Sequence, residues 1–337
     1  MTIGVAWWLL ATTSGARWLV RQFPAVLTVE RVEGRLCDRL RLSGIAVDGA
    51  EGALAVEQLE LAWRPAVLLR GKLLLAELTV EGVTVSGDWS SPETEPSQPA
   101  EPWRWPELPG WLRRVRAEIK QLDLQRLRWE RSDQPPLTLD RVAGRIKWTG
   151  HRLEVDDLSL LASAGELTAS LEARWRKPSL KLKASARFKG LAGEPAELGL
   201  ALELQPVRDA EGFAGPIHLS ASSVPSGELD LAGRLELTSR QIALQDLELR
   251  QVGARGRIAG DLRLAWAAEP LEAQADLVFE QLDLRRFTGQ ATDLGGTVQL
   301  AGNVDDYRGQ FALTNRAEGW QALRLASALP ATALRSL

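Results

Sequence analysis

Residues 165–189 read GELTASLEARWRKPSLKLKASARFK, and this stretch decides the fold. Leu167, Ala169, Leu171, Ala173 and Trp175 alternate with polar residues. After Lys177-Pro178 the same period resumes in Leu180, Leu182, Ala184, Ala186 and Phe188. Successive side chains of a strand point to opposite faces, whereas a helix repeats every 3.6 residues. The stretch therefore predicts two strands, each with one apolar and one polar face, joined by a turn.

The same period spreads outward. It occurs in Leu59-Leu61-Trp63, Val142-Gly144-Ile146-Trp148, Leu198-Leu200-Leu202-Leu204 and Leu229-Leu231-Gly233-Leu235-Leu237. It continues in Ile258-Gly260-Leu262-Leu264-Trp266 and Leu271-Ala273-Ala275-Leu277-Phe279. Leu, Ala, Glu and Arg are helix formers, but strand preference chiefly reflects fit to a half-buried face, so the period outweighs propensity. Gly150, Glu269-Pro270 and Gly302-Asn303 supply turns. Two motifs recur: Asp157-Leu158-Ser159-Leu160 is echoed by Asp246-Leu247-Glu248-Leu249. Gly-Arg-Leu/Ile occurs at Gly34, Gly144, Gly233 and Gly256. Their uneven offsets indicate a recurring hairpin type and no fixed-period solenoid.

A one-sided sheet must cover its apolar face, and the pattern offers almost no helix to do so. The expected fold is mostly β: an elongated antiparallel sheet of roughly 16–18 strands, curled taco-like into an apolar trough. A β-sandwich is the alternative. In the trough reading the candidate lipid-groove residues are Leu59, Leu61, Trp63, Ile146, Trp148, Leu171, Trp175, Leu182, Phe188, Leu202, Leu235, Leu262, Leu264, Trp266, Leu277 and Phe279. Arg and Glu, alternating with them, form the solvated face. Trp63, Trp129, Trp148, Trp175 and Trp266 close the apolar series. No block of basic residues marks a head-group site.

Composition narrows the function. The 337 residues carry 41 Lys+Arg against 44 Asp+Glu, a net charge of −3, which disfavours nucleic acid as a partner. Cys37 is the only cysteine and His151 and His218 the only histidines, so neither a disulfide within the chain nor a thiolate zinc site can form. No cofactor is expected. No nucleophile elbow, phosphate loop or His-Glu-x-x-His pair occurs. Asp156-Asp157, as strand neighbours, are expected on opposite faces and make a poor acid/base pair. The chain reads as a non-enzyme.

Five regions are expected. Residues 1–23 form the remnant of a membrane anchor and a short N-terminal helix at 15–23. A β-region at 24–89 follows, then a Pro-rich loop at 90–110, a repetitive β-trough at 111–325 and an irregular tail at 326–337. One helical turn is expected at Arg64–Gly71 and a short helix at Trp111–Glu118. Ile3, Val5, Trp7, Trp8, Leu9 and Leu10 lie in an apolar run too short to span a bilayer. It reads either as a buried N-terminal element or as the end of a signal anchor.

The order of Thr12-Thr13-Ser14-Gly15, LTVERVEGRLCDRLRLSGIAVD at 27–48, ALAVEQLELAWRPAVLLRGKLLLAELTVEGVTV at 53–85 and the Pro-rich gap resembles the beginning of the TamB family, within the wider AsmA-like group. The resemblance implies an inner-membrane anchor and a long periplasmic β-structure with an apolar groove. It also implies phospholipid transport between inner and outer membranes, with phospholipid acyl chains and the inner membrane as partners. The alternative it implies is insertion of outer-membrane proteins alongside the barrel TamA, engaged through a C-terminal region that has no counterpart here. Family members are several times longer, so the chain reads as an N-terminal fragment.

Overall fold

The computed structural model describes residues 27–330 apart from 36–37, 50–51, 65, 68–70, 88–106, 111, 131–135, 190–194, 208–211, 224–226, 254, 267–270, 284, 286–290, 304–305 and 318–324. Ile3, Val5, Trp7, Trp8, Leu9, Leu10, the helix expected at 15–23, Cys37 and most of the Pro-rich loop lie outside the described residues. Contacts divide the chain into two compact units that part between Lys177 and Pro178, with 98–106 grouped in the second. Each is a curved, open sheet, as the period-two pattern anticipates, and neither folds into a sandwich.

The first unit contains β1 (Leu27–Gly34), β2 (Arg39–Gly49), β3 (Gly52–Trp63), β4 (Lys72–Gly87), β5 (Arg116–Glu130), β6 (Leu137–Trp148), β7 (Arg152–Ala162) and β8 (Gly165–Arg174). Every strand runs antiparallel to its predecessor except β5, which lies parallel to β4. A parallel neighbour requires a crossover of a dozen or more residues. The 28 residues between Gly87 and Arg116 provide it, which gives the Pro-rich stretch a topological role. No helix spans Trp111–Glu118: Leu112–Arg114 is a turn and Arg116–Glu118 already belong to β5. Near Arg64–Gly71 the described residues include one 3₁₀ turn at Ala66-Val67.

The second unit is an antiparallel meander of β9 (Ser179–Lys189), β10 (Pro195–Pro206), β11 (Gly212–Ser223), β12 (Gly227–Thr238), β13 (Gln241–Gln251), β14 (Arg257–Ala265), β15 (Glu272–Leu282), β16 (Leu294–Asn303), β17 (Tyr307–Asn315) and β18 (Leu325–Pro330). Strand β18 occupies the first residues of the segment for which the sequence pattern predicts an irregular tail.

Strict alternation does not hold within the strands of the first unit. Register pairs Val29 with Ile45, Ile45 with Val56, Val56 with Val83, Val83 with Leu127 and Leu127 with Leu139. Three residues along each strand, the next row is Val32, Leu42, Leu59, Val80, Leu124 and Val142. Both rows are apolar. A spacing of three puts them on one face only if each strand spends two consecutive residues off it. The inserted pairs are Glu30-Arg31, Ser43-Gly44, Glu57-Gln58, Glu81-Gly82, Gln125-Arg126 and Asp140-Arg141. Gly44, Gly82 and Arg126 take positive φ there, at 63°, 68° and 54°. Register is kept across all of these pairs, so they are kinks matched strand by strand and not bulges with one extra residue. Aligned across six strands, they bend the sheet along one line.

The two sequence repeats are halves of one hairpin device. Asp157, Asp246 and Gln281 sit at positive φ within bulges, immediately before Leu158, Leu247 and Leu282. A Cβ added to Gly144 would meet Leu158 Cα at 3.3 Å, one on Gly233 would meet Leu247 Cα at 3.5 Å, and one on Gly256 would meet Leu282 Cα at 3.2 Å. The Gly of Gly-Arg-Leu/Ile thus makes room for the Leu that follows each bulge. Gly34 differs: it serves the β1–β2 turn at φ 88°. The bulge also overturns the expected opposition of Asp156 and Asp157. Val155 and Leu158 pair with Leu171 and Ala169 on one face, leaving both carboxylates off it.

Gly82→Ala forces a Cβ into the left-handed region at the bend and is expected to cost about 1–2 kcal/mol. Gly110→Ala, with nothing within 4 Å of the added carbon, is expected to leave stability unchanged. Urea midpoints of the two variants make the comparison.

Candidate functional site on the apolar face

The ladders place all seven first-unit candidates on one face. Leu59 lies in the row Leu42, Leu59, Val80, Leu124, Val142, and Leu61 in the row Leu40, Leu61, Leu78, Leu122. Trp63 is joined through Leu75, Ile119, Ile146 and Val155 to Leu171. Trp148 opposes Leu153, which opposes Ala173. Trp175 follows Ala173 by two residues and packs edge-on against Trp148, ring centres 5.2 Å apart.

The nine second-unit candidates likewise share a face. Leu182 opposes Leu202, and Phe188 opposes Ala196. One row runs Leu235, Leu244, Leu262, Ala275, Leu300, and another Ile242, Leu264, Ala273. Leu277 bridges Gly260 and Val298, and Phe279 bridges Ile258 and Gly296. Trp266 ends this face, its indole N–H donating to the Ser239 carbonyl at 2.7 Å.

The bend closes toward the apolar side. Val32, Ile45, Val56, Val80 and Val142, all at the bend, are buried among their neighbours. Farther along the faces burial falls away: Leu54, Leu262, Leu264, Phe188 and Leu198 are between 36% and 42% exposed. A sandwich would bury these inward residues, so among the described residues no second layer covers them. Leu235, Leu262 and Leu264 line an apolar hollow of about 350 Å³ with Ile217, Leu244 and Leu300. Full burial of a Leu is worth about 1.5–3 kcal/mol, so a row left one-third exposed retains a substantial drive to be covered.

Residues such as Val56, Val155, Leu244 and Leu282 escape a period-two reading because a break in the alternation, a bulge in all but the first, moves them out of phase with Leu59, Leu158, Leu247 and Phe279. The available signal is apolar-x-x-Leu-acid/Ser-Leu. It occurs at Val56–Leu61, Ile119–Leu124, Val155–Leu160 and Leu244–Leu249, and the run Phe279–Asp283 follows it too.

The opposite face is laced with ions. Lys147 reaches Glu154 at 3.1 Å, and Arg152 links Glu154 to Glu172, at 2.8 Å to the latter. Lys181 meets Glu203 at 2.8 Å. His218 pairs with Asp230, in a strand-to-strand contact. Exposed pairs of this kind contribute about 0.2–1 kcal/mol each. Asp123 is the buried member of the network. Arg141 grips it with two bonds, Nε to Oδ1 at 2.9 Å and Nη2 to Oδ2 at 2.8 Å. Gln125 adds a third at 3.2 Å. The Arg141 hydrogen bond holds the Asp123 carboxyl below the usual aspartate range, against the opposing effect of burial. A polar hollow of about 360 Å³ on this face is bounded by Asp246, Asp261 and Asp276. No group of His, Cys, Asp and Glu among the described residues has an arrangement that could hold a metal ion.

Residues 2–109, about the first third of the chain, match the family model described as TamB, N-terminal domain. No curated protein and no solved structure matches the chain.

Because its folded pKa is depressed, Asp123 contributes stability that is complete above the ordinary aspartate pKa of about 3.9 and is lost as pH falls through the lower folded value. Arg141→Gln removes the main cause of that depression. Its denaturation midpoint, followed by circular dichroism from pH 7 to pH 2, is expected to lie below that of the wild type at pH 7 and to fall less on acidification, so that the two converge at low pH.

Proposed function

We propose that this chain, whose residues 2–109 match the TamB N-terminal domain, is a member of that family and offers the apolar faces of its sheets to phospholipid acyl chains in transit between the inner and outer membranes. The family's role is in envelope biogenesis, where its members are inner-membrane-anchored, periplasmic and work with TamA. One observation supports the lipid reading above the rest: within each unit an apolar face stands partly exposed, with no layer over it among the described residues. Acyl chains are the partner that gains most from such a wall. They bring about 0.8 kcal/mol per buried methylene and ask for no directional bonds. The ion-paired outer face keeps the other side in water.

In this reading Ile3, Val5, Trp7, Trp8, Leu9 and Leu10 hold the start of the chain at the inner membrane and the sheets stand in the periplasm. Among the described residues no helix is long and apolar enough to cross a membrane. The chain works by binding and conveying, without a catalytic residue. Receipt of strands from unfolded outer-membrane proteins is the competing role, since an added strand would seek backbone groups at a sheet edge.

A photo-crosslinker at Leu262 or Leu264 tests the reading, with Asp261 on the other face as control. Phospholipid adducts at 262 and 264 and none at 261, identified by mass spectrometry in cells, are the expected outcome. Polypeptide adducts in their place would transfer the function to assembly of outer-membrane proteins.

A further inference from the structure

Five exposed basic residues of the first unit, separated in sequence, come together at one end of β5–β8. Three backbone-level contacts make this end a single structure. The Trp148 indole N–H donates to the Leu112 carbonyl at 3.0 Å, and the Trp175 amide donates to the His151 carbonyl at 2.8 Å. Gly150, at φ 79°, lies so close to the 112–115 segment that a Cβ there would sit 2.4 Å from the Arg113 carbonyl oxygen. On the segments so joined lie Arg113, Arg114, Arg116, Arg176 and Lys177, all exposed. None of the five has an ion-pair partner among the described residues. The acids of the adjoining strand ends are already engaged: Glu118 by Lys72, Glu154 by Lys147 and Arg152, and Glu172 by Arg152 and Arg174. Glu107 is the exposed carboxylate closest along the chain. At the opposite ends of the same strands Glu130 is paired with Arg128 at 2.7 Å and Glu166 is exposed, so no comparable group of unpaired cations stands there among the described residues.

The order of chemistries at this end is also graded. The apolar face of β5–β8 runs out at Ile146 and Ala173. The Trp148–Trp175 pair follows, and the cations lie immediately beyond. An aliphatic wall, then amphipathic indoles, then guanidinium and ammonium groups repeat the sequence acyl chain, glycerol, phosphate along a phospholipid.

We propose that this rim, built on Arg113, Arg114, Arg116, Arg176 and Lys177, binds the head groups of anionic phospholipids whose acyl chains lie on the adjoining apolar face. The inference rests on the lipid reading of that face and adds a choice of lipid class, which the face alone cannot make. A phosphodiester with no compensating amine, as in phosphatidylglycerol, complements the five cations; the zwitterionic head of phosphatidylcholine does so less well.

The test uses the full chain, with vesicles of phosphatidylcholine alone and of phosphatidylcholine containing phosphatidylglycerol. A variant carrying R113Q, R114Q, R176Q and K177Q is compared with a control carrying K120Q, K183Q, R240Q and R308Q, which has the same net charge. Each cation near an anionic surface is worth about fivefold in binding, an effect that fades with added salt. Wild type and control are expected to prefer the phosphatidylglycerol vesicles, and the rim variant to lose at least about tenfold of that preference. The rim variant should still yield phospholipid adducts from a crosslinker at position 171. Loss of adducts from the folded wild type would remove the lipid reading itself. Retained adducts with no anionic preference, or equal preference in rim variant and control, would overturn the rim alone. Binding of polyglutamate in preference to phosphatidylglycerol vesicles would likewise overturn it, assigning the rim to an acidic protein.

Discussion

In six successive strands of the first unit, two consecutive residues leave the apolar face at the same level, and the rest of that sheet is built around this constraint. A kink in one strand alone would break its pairing with the next. Six in register bend the ladder about a line, and because the flanking Val and Leu side chains crowd together on the inside, the bend is toward the apolar side. Gly44 and Gly82 meet the backbone requirement cheaply. Arg126 meets it as a non-glycine and reaches Glu57 and Glu81 across the line, at 2.6 and 2.9 Å.

The bend separates two demands that a flat one-sided sheet cannot reconcile. At the line itself the apolar side chains cover one another, giving the unit its small core around Ile45, Val56 and Val80. Away from it they stay open, leaving a wall that a second component must complete. The Gly-Arg-Leu/Ile strand and the bulge-Leu strand express the same compromise in both units. Glycine concedes the volume that the neighbouring leucine fills, so the wall stays smooth across β6–β7, β12–β13 and β14–β15. The ion-paired face contributes little energy per pair, but it assigns one face of every strand to water, and Asp123 ties β5 to β6 through Arg141.

The parallel pair β4–β5 is the other point at which the chain departs from a simple meander. Keeping the same strand direction in adjacent strands requires a long return to the starting end. The Pro-rich stretch lies in that return, where proline's lack of a donor costs no ladder bond.

The sequence by itself determined that the chain is β-rich, that each strand has one apolar and one polar face, and which side chains, from Leu59 to Phe279, share the apolar one. These follow from a period of two, a local property. It also carried the resemblance at the start of the chain. It could not reveal that Val56 and Leu59, three residues apart, lie on the same face, because that break in alternation is shared with the neighbouring strands and shows only once they are paired. Nor could it show that Arg113, Arg114, Arg116, Arg176 and Lys177 belong together, since proximity across β5–β8 depends on strand pairing and on the contacts of Leu112, Gly150 and His151. Only the tertiary structure decided where the wall bends, which parts of it stay open and where its charge gathers, because each is a relation between strands that no single strand encodes.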